Sequence, residues 1–224
     1  MGLLARRVTS PAIFAAAVAL SFVAVLGATV GAGELLGLAE RPDGSTGFDR
    51  SITSWLVDHR AAWLTTVARA LSTVGSQKVL LPLVAVVAIV LIARGARRPA
   101  VLLVLVWAGA IELYSLAKHF VGRPRPPMHL WLTSASSTAF PSGHATQSLS
   151  TFAALAVVAA ALLPVVRRPA LVLAAVIAAG VGWSRAYLGV HWATDVIAGW
   201  LAAACWVALV ARLAHTRHTQ EASP

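Results

Sequence analysis

The sequence predicts an all-α, polytopic membrane protein with six transmembrane helices, and three observations carry that prediction. Of the 224 residues, 58% are hydrophobic and only 12% are charged, against roughly 45–50% apolar and about 25% charged in an average soluble domain. The mean hydropathy is +0.78. The apolar residues also fall in long runs with few or no charges, at or near the roughly 17 to 25 residues a helix needs to cross about 30 Å of hydrocarbon. Disorder is excluded by the apolar content, and a disulfide-stapled secreted fold by the single cysteine, Cys205, which has no partner within the chain.

Span one is the run PAIFAAAVALSFVAVLGATVGAG between Arg7 and Glu34, long enough to cross with tilt. It exceeds the roughly 7 to 15 apolar residues of a secretory signal and is therefore read as an uncleaved helix. In the connection over residues 40–78, Ile52, Trp55, Leu56, Trp63, Val67 and Leu71 recur at helical intervals. That pattern predicts an amphipathic helix over 50–72, lying in the outer interface or packed on the bundle as a lid. Span two, VLLPLVAVVAIVLIA, lies between Lys78 and Arg94, whose side chains lengthen it by snorkelling. Span three lies between Arg98 and Lys118 and is broken only by Glu112. Residues 145–166 form span four, Arg168 and Arg185 bracket span five, and Asp195 and Arg212 bracket span six. Cys205, in mid-span, reads as a small core residue. With no internal repeat or low-complexity tract, residues 1–224 read as one domain.

The 18 Lys and Arg against 8 Asp and Glu give a net charge of +10, and the positions of the cations say why. Arg6, Arg7, Arg94, Arg97, Arg98, Arg167, Arg168, Arg212 and Arg217 lie in the tails and in the loops after spans two and four. By the positive-inside rule both termini are expected in the cytoplasm of a plasma (inner) membrane, a bacterial one by the Ala, Val and Arg bias. This placement also excludes nucleic acid as the reason for the charge. Five further cations in the 40–78 connection are accompanied by Glu40, Asp43, Asp49 and Asp58. The last four, Lys118, Arg123, Arg125 and Arg185, break the rule in short outer loops, so another role must hold them there.

Three groups converge at that end. Lys118, Arg123 and Arg125 lie within eight residues on the proline-stiffened KHFVGRPRPP, a clamp for an anion or a set of headgroup contacts. Phe140, Pro141, Ser142, Gly143 and His144 open span four. A helix N-terminus offers free N–H groups and a favourable dipole to an anion, and Gly143 allows close approach. Ser142 is either a ligand donor or an ordinary N-cap, and His144 is placed to move a proton. Ser184 and Arg185 end span five, and His191 lies four residues before Asp195 at the start of span six. On a helix that pair shares a face, so the carboxylate orients the imidazole as nucleophile or base. Cations, a helix N-terminus, two histidines and one carboxylate satisfy the demands of phosphoryl transfer. A site for Mg²⁺ or Ca²⁺ asks for more oxygen ligands than Asp195 alone, so neither metal nor cofactor is expected.

The spacing K-x6-RP (Lys118, Arg125, Pro126), PSGH (Pro141, Ser142, Gly143, His144) and SR-x5-H-x3-D (Ser184, Arg185, His191, Asp195) resembles the three-part signature of the type 2 phosphatidic acid phosphatases, which share it with vanadium haloperoxidases. No element departs from the pattern. The resemblance implies a helical core of that family, with His191 attacking phosphorus to form a phosphohistidine, Asp195 orienting it and His144 protonating the leaving alkoxide. It further implies that Lys118, Arg125, Ser142, Gly143 and Arg185 bind the phosphate oxygens and that no metal takes part. Arg123 lies outside the strict pattern and is expected to be a supporting or headgroup contact.

The expected function is therefore hydrolysis of a lipid phosphomonoester or diphosphate on the extracytoplasmic face, with phosphatidic acid, phosphatidylglycerophosphate or undecaprenyl diphosphate as substrate class. A phosphotransferase using the same phosphohistidine with a lipid or sugar acceptor, and a non-catalytic lipid carrier, are the alternatives. The partners are the lipid phosphate and the surrounding membrane lipids; no motif specifies the lipid or an oligomeric state. Glu112, an intramembrane carboxylate six residues before Lys118, is read as either functional or a packing residue. Trp131, Trp183 and Trp192 are read as an aromatic belt, His119 and His129 as loop residues, and His215 and His218 as part of the cytoplasmic tail.

Overall fold

A computed structural model describes residues 10–221, with side chains through residue 215. Arg6 and Arg7 therefore lie outside the described residues, as do the side chains of Arg217 and His218. Within them the chain is helical: α1 (Pro11–Gly37), α2 (Gly47–Asp58), α3 (Ala62–Val74), α4 (Gln77–Ala93), α5 (Arg97–Val121), α6 (Gly143–Leu162), α7 (Arg167–Tyr187) and α8 (Ala193–Glu221), with short 3-10 turns at Met128–Leu130 and Pro164–Val166. Five helices are long and apolar enough to cross a membrane: α1, α5, α6, α7 with its preceding turn, and α8 as far as His215. Helices α3 and α4, bent by 44° across a short break, pass the same test together and make a sixth if the pair is one span. The protein is thus an all-helical membrane protein, as its composition required.

Between lipid-covered helices the hydrophobic effect gives little drive, so association rests on close packing of small residues and on interhelical hydrogen bonds. Helix α6 shows this along its length, burying Gly143, Ala145, Thr146, Ser148, Ser150, Ala154 and Ala156. It is the central helix, packed by α5, α7 and α8. Helix α1 lies outside against α8 and α5, and α4 outside against α5. Trp206 of α8, only 1% exposed, donates its indole N–H to Val106 O at 3.0 Å. Its ring occupies the place of a side chain at Gly109, where a Cβ would fall 2.7 Å from Trp206 Cε2.

The segment expected to form one amphipathic helix over 50–72 divides at His59, Arg60 and Ala61. The break has a tertiary cause. Arg60 Nη2 donates to Leu130 O at 2.7 Å and Tyr187 O at 3.0 Å, and the Ala61 N–H donates to Tyr187 Oη at 3.1 Å. Leu56 and Ala68, on either side of it, are buried with Tyr187, Leu188 and Val190. Both pieces are thus packed on the bundle through these residues, while Trp55 and Trp63 remain exposed. Helix α2 opens with a reciprocal cap: the Asp49 N–H donates to Thr46 Oγ1 at 3.1 Å and the Thr46 N–H to Asp49 Oδ2 at 3.2 Å.

Candidate active site

The ends of α5, α6, α7 and α8 bring the three sequence groups together through backbone bonds between them. The Ala139 N–H donates to Arg123 O at 2.8 Å, joining the first group to the approach of the second, and the Ser142 N–H donates to Asp195 O at 3.0 Å, joining the second to the third. Lys118, in the last turn of α5, directs Nζ to Thr138 O and to Ala139 O. The Arg125 guanidinium donates to Ser137 O at 2.9 Å, Ser136 O at 2.8 Å and Val190 O at 2.5 Å. Two site cations are therefore held by the carbonyls of residues 136–139.

Arg125 Nη1 also lies 3.1 Å from His191 Nε2. A guanidinium can only donate, so Nε2 accepts with its lone pair and the proton of a neutral ring sits on Nδ1. Nδ1 faces Asp195 Oδ2 at 3.4 Å, and the same oxygen takes the Trp192 N–H at 2.8 Å. His191 is 3% exposed. Burial, followed by the positive charges of Arg125, Lys118 and Arg185 and the neighbouring His144, holds its pKa well below the usual imidazole range. The ring is thus a neutral imidazole with its free nitrogen turned toward the cations, the form a nucleophile requires.

Ser142 is the N-cap residue of α6, yet its side chain makes no capping bond. Its hydroxyl is completely buried and has no hydrogen-bond partner among the described residues. Arg185 shares that condition at Nε, while its Nη1 donates to Ser72 Oγ at 2.5 Å. Deeper in α6, Gln147 Nε2, Ser150 Oγ and Thr151 Oγ1 are also buried without partners. Gly143, the first residue of α6, is required by close approach: a Cβ there would lie 3.1 Å from the ring of Tyr114, which is held by a 2.7 Å hydrogen bond from Gln77 Nε2. The His144 side chain, half-buried in the first turn, makes no hydrogen bond with another described residue.

Four candidate groups find the following surroundings. Arg123 is not a headgroup contact: it is 2% exposed and faces inward. Its guanidinium pairs with Glu40 Oε1 at 2.6 Å, Asp49 Oδ2 at 2.8 Å and Asp195 Oδ1 at 2.5 Å. The two tryptophans nearest the proline segment are clamps for it: Trp192 Nε1 donates to Pro124 O at 3.0 Å and Trp131 Nε1 to Pro126 O at 2.8 Å. The Ser184 hydroxyl turns back along α7 to Val181 O at 2.6 Å and does not enter the site. Glu112 is not brought to the site either; it lines a cavity of about 640 Å³ with Phe14, Phe22 and Trp206.

Asp49 and Glu40 join this cluster without a motif to mark them. In the sequence they are two acids among the cations of a long connection, and only the Thr46-to-Asp49 capping interval hints at a role for Asp49. Burial pushes the Asp49 carboxyl up, but the hydrogen bonds from Thr194, Thr46 and Arg123 outweigh it and hold the group below its ordinary value. Glu40 goes the other way, because burial outweighs the pull of Arg123.

Fold and site define a polytopic helical membrane protein with a buried cluster of cations and histidines at one end of its bundle. The chain belongs to the PAP2 superfamily, which it matches over residues 99–219. It is 31% identical to phosphatidylglycerophosphatase B of Bacillus subtilis over 154 residues, 67% of this chain and 75% of that protein. It is 33% identical to an undecaprenyl-diphosphatase of Sulfolobus acidocaldarius over 138 residues, 58% of this chain and 61% of that one. The solved transmembrane PAP2-type phosphatidylglycerolphosphate phosphatase of Bacillus subtilis superposes with a TM-score of 0.72 at 28% identity, covering 82% of this chain and 93% of its own. Aquifex aeolicus LpxE, with a TM-score of 0.53 at 22% identity over 71% of this chain and 92% of its own, shares the fold.

Proposed function

We propose that the chain hydrolyses a phosphomonoester or diphosphate headgroup of a membrane lipid, without a metal, through a phosphohistidine on His191. Like its family it is a membrane lipid phosphatase, and phosphatidic acid, phosphatidylglycerophosphate and undecaprenyl diphosphate are the substrate class. The observation that carries the reading is the buried Ser142 hydroxyl, unpartnered at the N-terminus of α6, at a position where a phosphate oxygen would satisfy it.

In this mechanism His191 Nε2 attacks phosphorus in line while Asp195 holds the Nδ1 proton. Lys118, Arg125 and Arg185, the Ser142 hydroxyl and the Gly143 N–H neutralise the phosphoryl oxygens, the electrostatic share that dominates such reactions. His144 gives its proton to the leaving oxygen, then takes one from the water that cleaves the phosphohistidine. The cations supply the charge that a metal would otherwise bring. The acids closest to Asp195 are committed: Glu40 and Asp49 both pair with Arg123.

Residues 1–224 act as one unit in a plasma (inner) membrane, with the termini cytoplasmic and the site on the extracytoplasmic face. The excess of arginine in the loops at the bundle end opposite the site supports that orientation. Full-length protein in detergent should release phosphate from a panel of the three lipids in the presence of EDTA and be inhibited by vanadate. Acid-labile, base-stable labelling from a ³²P-lipid should disappear in His191→Ala. Full activity in that variant would sink the mechanism.

A further inference from the structure

We propose that Arg123 and Asp49, which lie outside the three motifs, are positioning residues of the nucleophile: together they fix the Asp195 carboxylate, through it the His191 ring, and they tie both to helix α2. The inference rests on the functional reading above and adds to it a fourth structural element of the site.

Asp195 is completely buried, and an ionised carboxylate is held in such a place only by charge and hydrogen bonds. Its two oxygens have divided tasks. Oδ2 takes the Trp192 N–H and faces His191 Nδ1, while Oδ1 is held by Arg123 Nη1 at 2.5 Å. The plane of the carboxylate, and hence the direction it offers to the imidazole, is set by the guanidinium.

That guanidinium cannot turn. Nη2 is fixed by Asp49 Oδ2, Nε by Glu40 Oε1 and by Gly44 O at 3.0 Å, and Nη1 also by Thr194 Oγ1 at 2.7 Å. A rigid planar fork with donors to five partners has no equivalent in a lysine. Asp49 reaches the nucleophile by a second route as well. Its Oδ1 accepts the Thr194 N–H at 3.0 Å and the Thr194 hydroxyl at 2.9 Å, so it holds the backbone of the residue just before Asp195. Its Oδ2 also accepts the Thr46 N–H and hydroxyl, in the cap of α2. One carboxylate thus starts α2 and secures the first turn of α8.

The charges that face the His191–Asp195 pair come from every element around it. Lys118 and Arg125 lie on the side of the first motif, His144 on α6 and Arg185 on α7; Arg123, Glu40 and Asp49 stand behind. Removing the Arg123 charge leaves three carboxylates without their shared cation. The pair then holds its proton to higher pH, so the acid limb of kcat/KM must move upward.

The test uses full-length protein in detergent, comparing wild type with Arg123→Ala, Arg123→Lys and Asp49→Asn. A displaced catalytic geometry costs on the order of 100-fold in rate, so Arg123→Ala should lose about 100-fold in kcat with KM changed by less than about threefold. Its acid limb should lie at higher pH than that of wild type. Arg123→Lys should recover part of the rate but not all, and Asp49→Asn should fall between wild type and Arg123→Ala. If Arg123→Ala fails to fold, as judged by thermal unfolding in the same detergent, the Lys and Asn variants decide by the same readouts. A kcat within about threefold of wild type, a loss confined to KM, or an acid limb that does not move would overturn the proposal.

Failure of the functional reading is separable. Wild type that releases no phosphate overturns the phosphatase and leaves the geometry to be read from vanadate binding, measured by quenching of tryptophan fluorescence. Affinity about tenfold weaker in Arg123→Lys supports positioning of His191, and equal affinity overturns it.

Discussion

Replacing Ser142 by alanine separates a ligand donor from a helix cap, because the two roles have opposite consequences. An N-cap serine ordinarily contributes about 0.5 to 2 kcal/mol through its bond to a helix N–H. Here that bond is absent, and the hydroxyl is completely buried without a partner. An unsatisfied buried polar group carries a desolvation cost of roughly 1–3 kcal/mol. Removing it should therefore leave the ligand-free protein as stable as before, or more stable by up to about 1 kcal/mol once the small loss of packing is set against the relief. The rate should respond in the other direction. One donor to the charge that develops in the transition state is worth about 2.7–4 kcal/mol, so phosphate release should fall by roughly 10² to 10³. Thermal unfolding and phosphate release, measured on one preparation in one detergent, give both numbers. Thr146→Val is the control: Thr146 Oγ1 already donates to Ser142 O at 3.0 Å, so its loss should cost about 1 kcal/mol of stability with little change in rate. A Ser142→Ala protein that is markedly less stable and nearly as active would refute the reasoning and return Ser142 to the role of a cap.

Three further outcomes are expected. His191 is held neutral in the folded protein by burial and by Arg125, Lys118, Arg185 and His144, whereas the unfolded chain protonates it below about pH 6.5. Activity should therefore persist below pH 6.5, and the contribution of this group to stability should be unfavourable there and vanish above it; a pH–rate profile that halves near 6.5 would contradict this. Tyr187→Phe removes the hydroxyl that meets the Ala61 N–H at 3.1 Å and Thr65 Oγ1 at 3.1 Å. It should cost about 1 kcal/mol and speed amide exchange at residues 59–65 while α5 and α6 are unaffected. Glu112→Gln should keep kcat within about threefold of wild type, since Glu112 lines an apolar cavity with Trp206 and Phe22 and reaches no group of the site; a loss of 100-fold would assign it a role in the chemistry.

The contrast between Arg125 and Arg123 shows what was legible before folding. Two residues apart on one proline-rich segment, they look alike in sequence, and only the family spacing separates them. In space Arg125 turns to His191 Nε2, while Arg123 turns inward to Glu40, Asp49 and Asp195. Direction at that scale depends on the irregular backbone of residues 123–127, whose carbonyls are bonded by Trp192, from the start of α8, and by the nearby Trp131. The same indoles, judged by sequence position, resembled an interfacial belt. Likewise the periodicity over 50–72 is continuous, and nothing local predicts the break at Arg60. It exists because the Leu130 and Tyr187 carbonyls, 70 and 127 residues away, compete for that side chain.

By itself the sequence determined the membrane-spanning helices, the three motifs and the end of the bundle at which they meet. Those features follow from quantities that add residue by residue: the free energy of moving each side chain into hydrocarbon, and the spacing that places His191 and Asp195 on one turn of helix. Tertiary structure alone decided that Ser142 caps nothing, that Glu112 stands apart and that Asp49 starts one helix while securing another. Each of these turns on which partner reaches a buried polar atom first. A buried group must be paired or unpaired as a whole, and the partner is chosen by how helices distant in sequence come to pack.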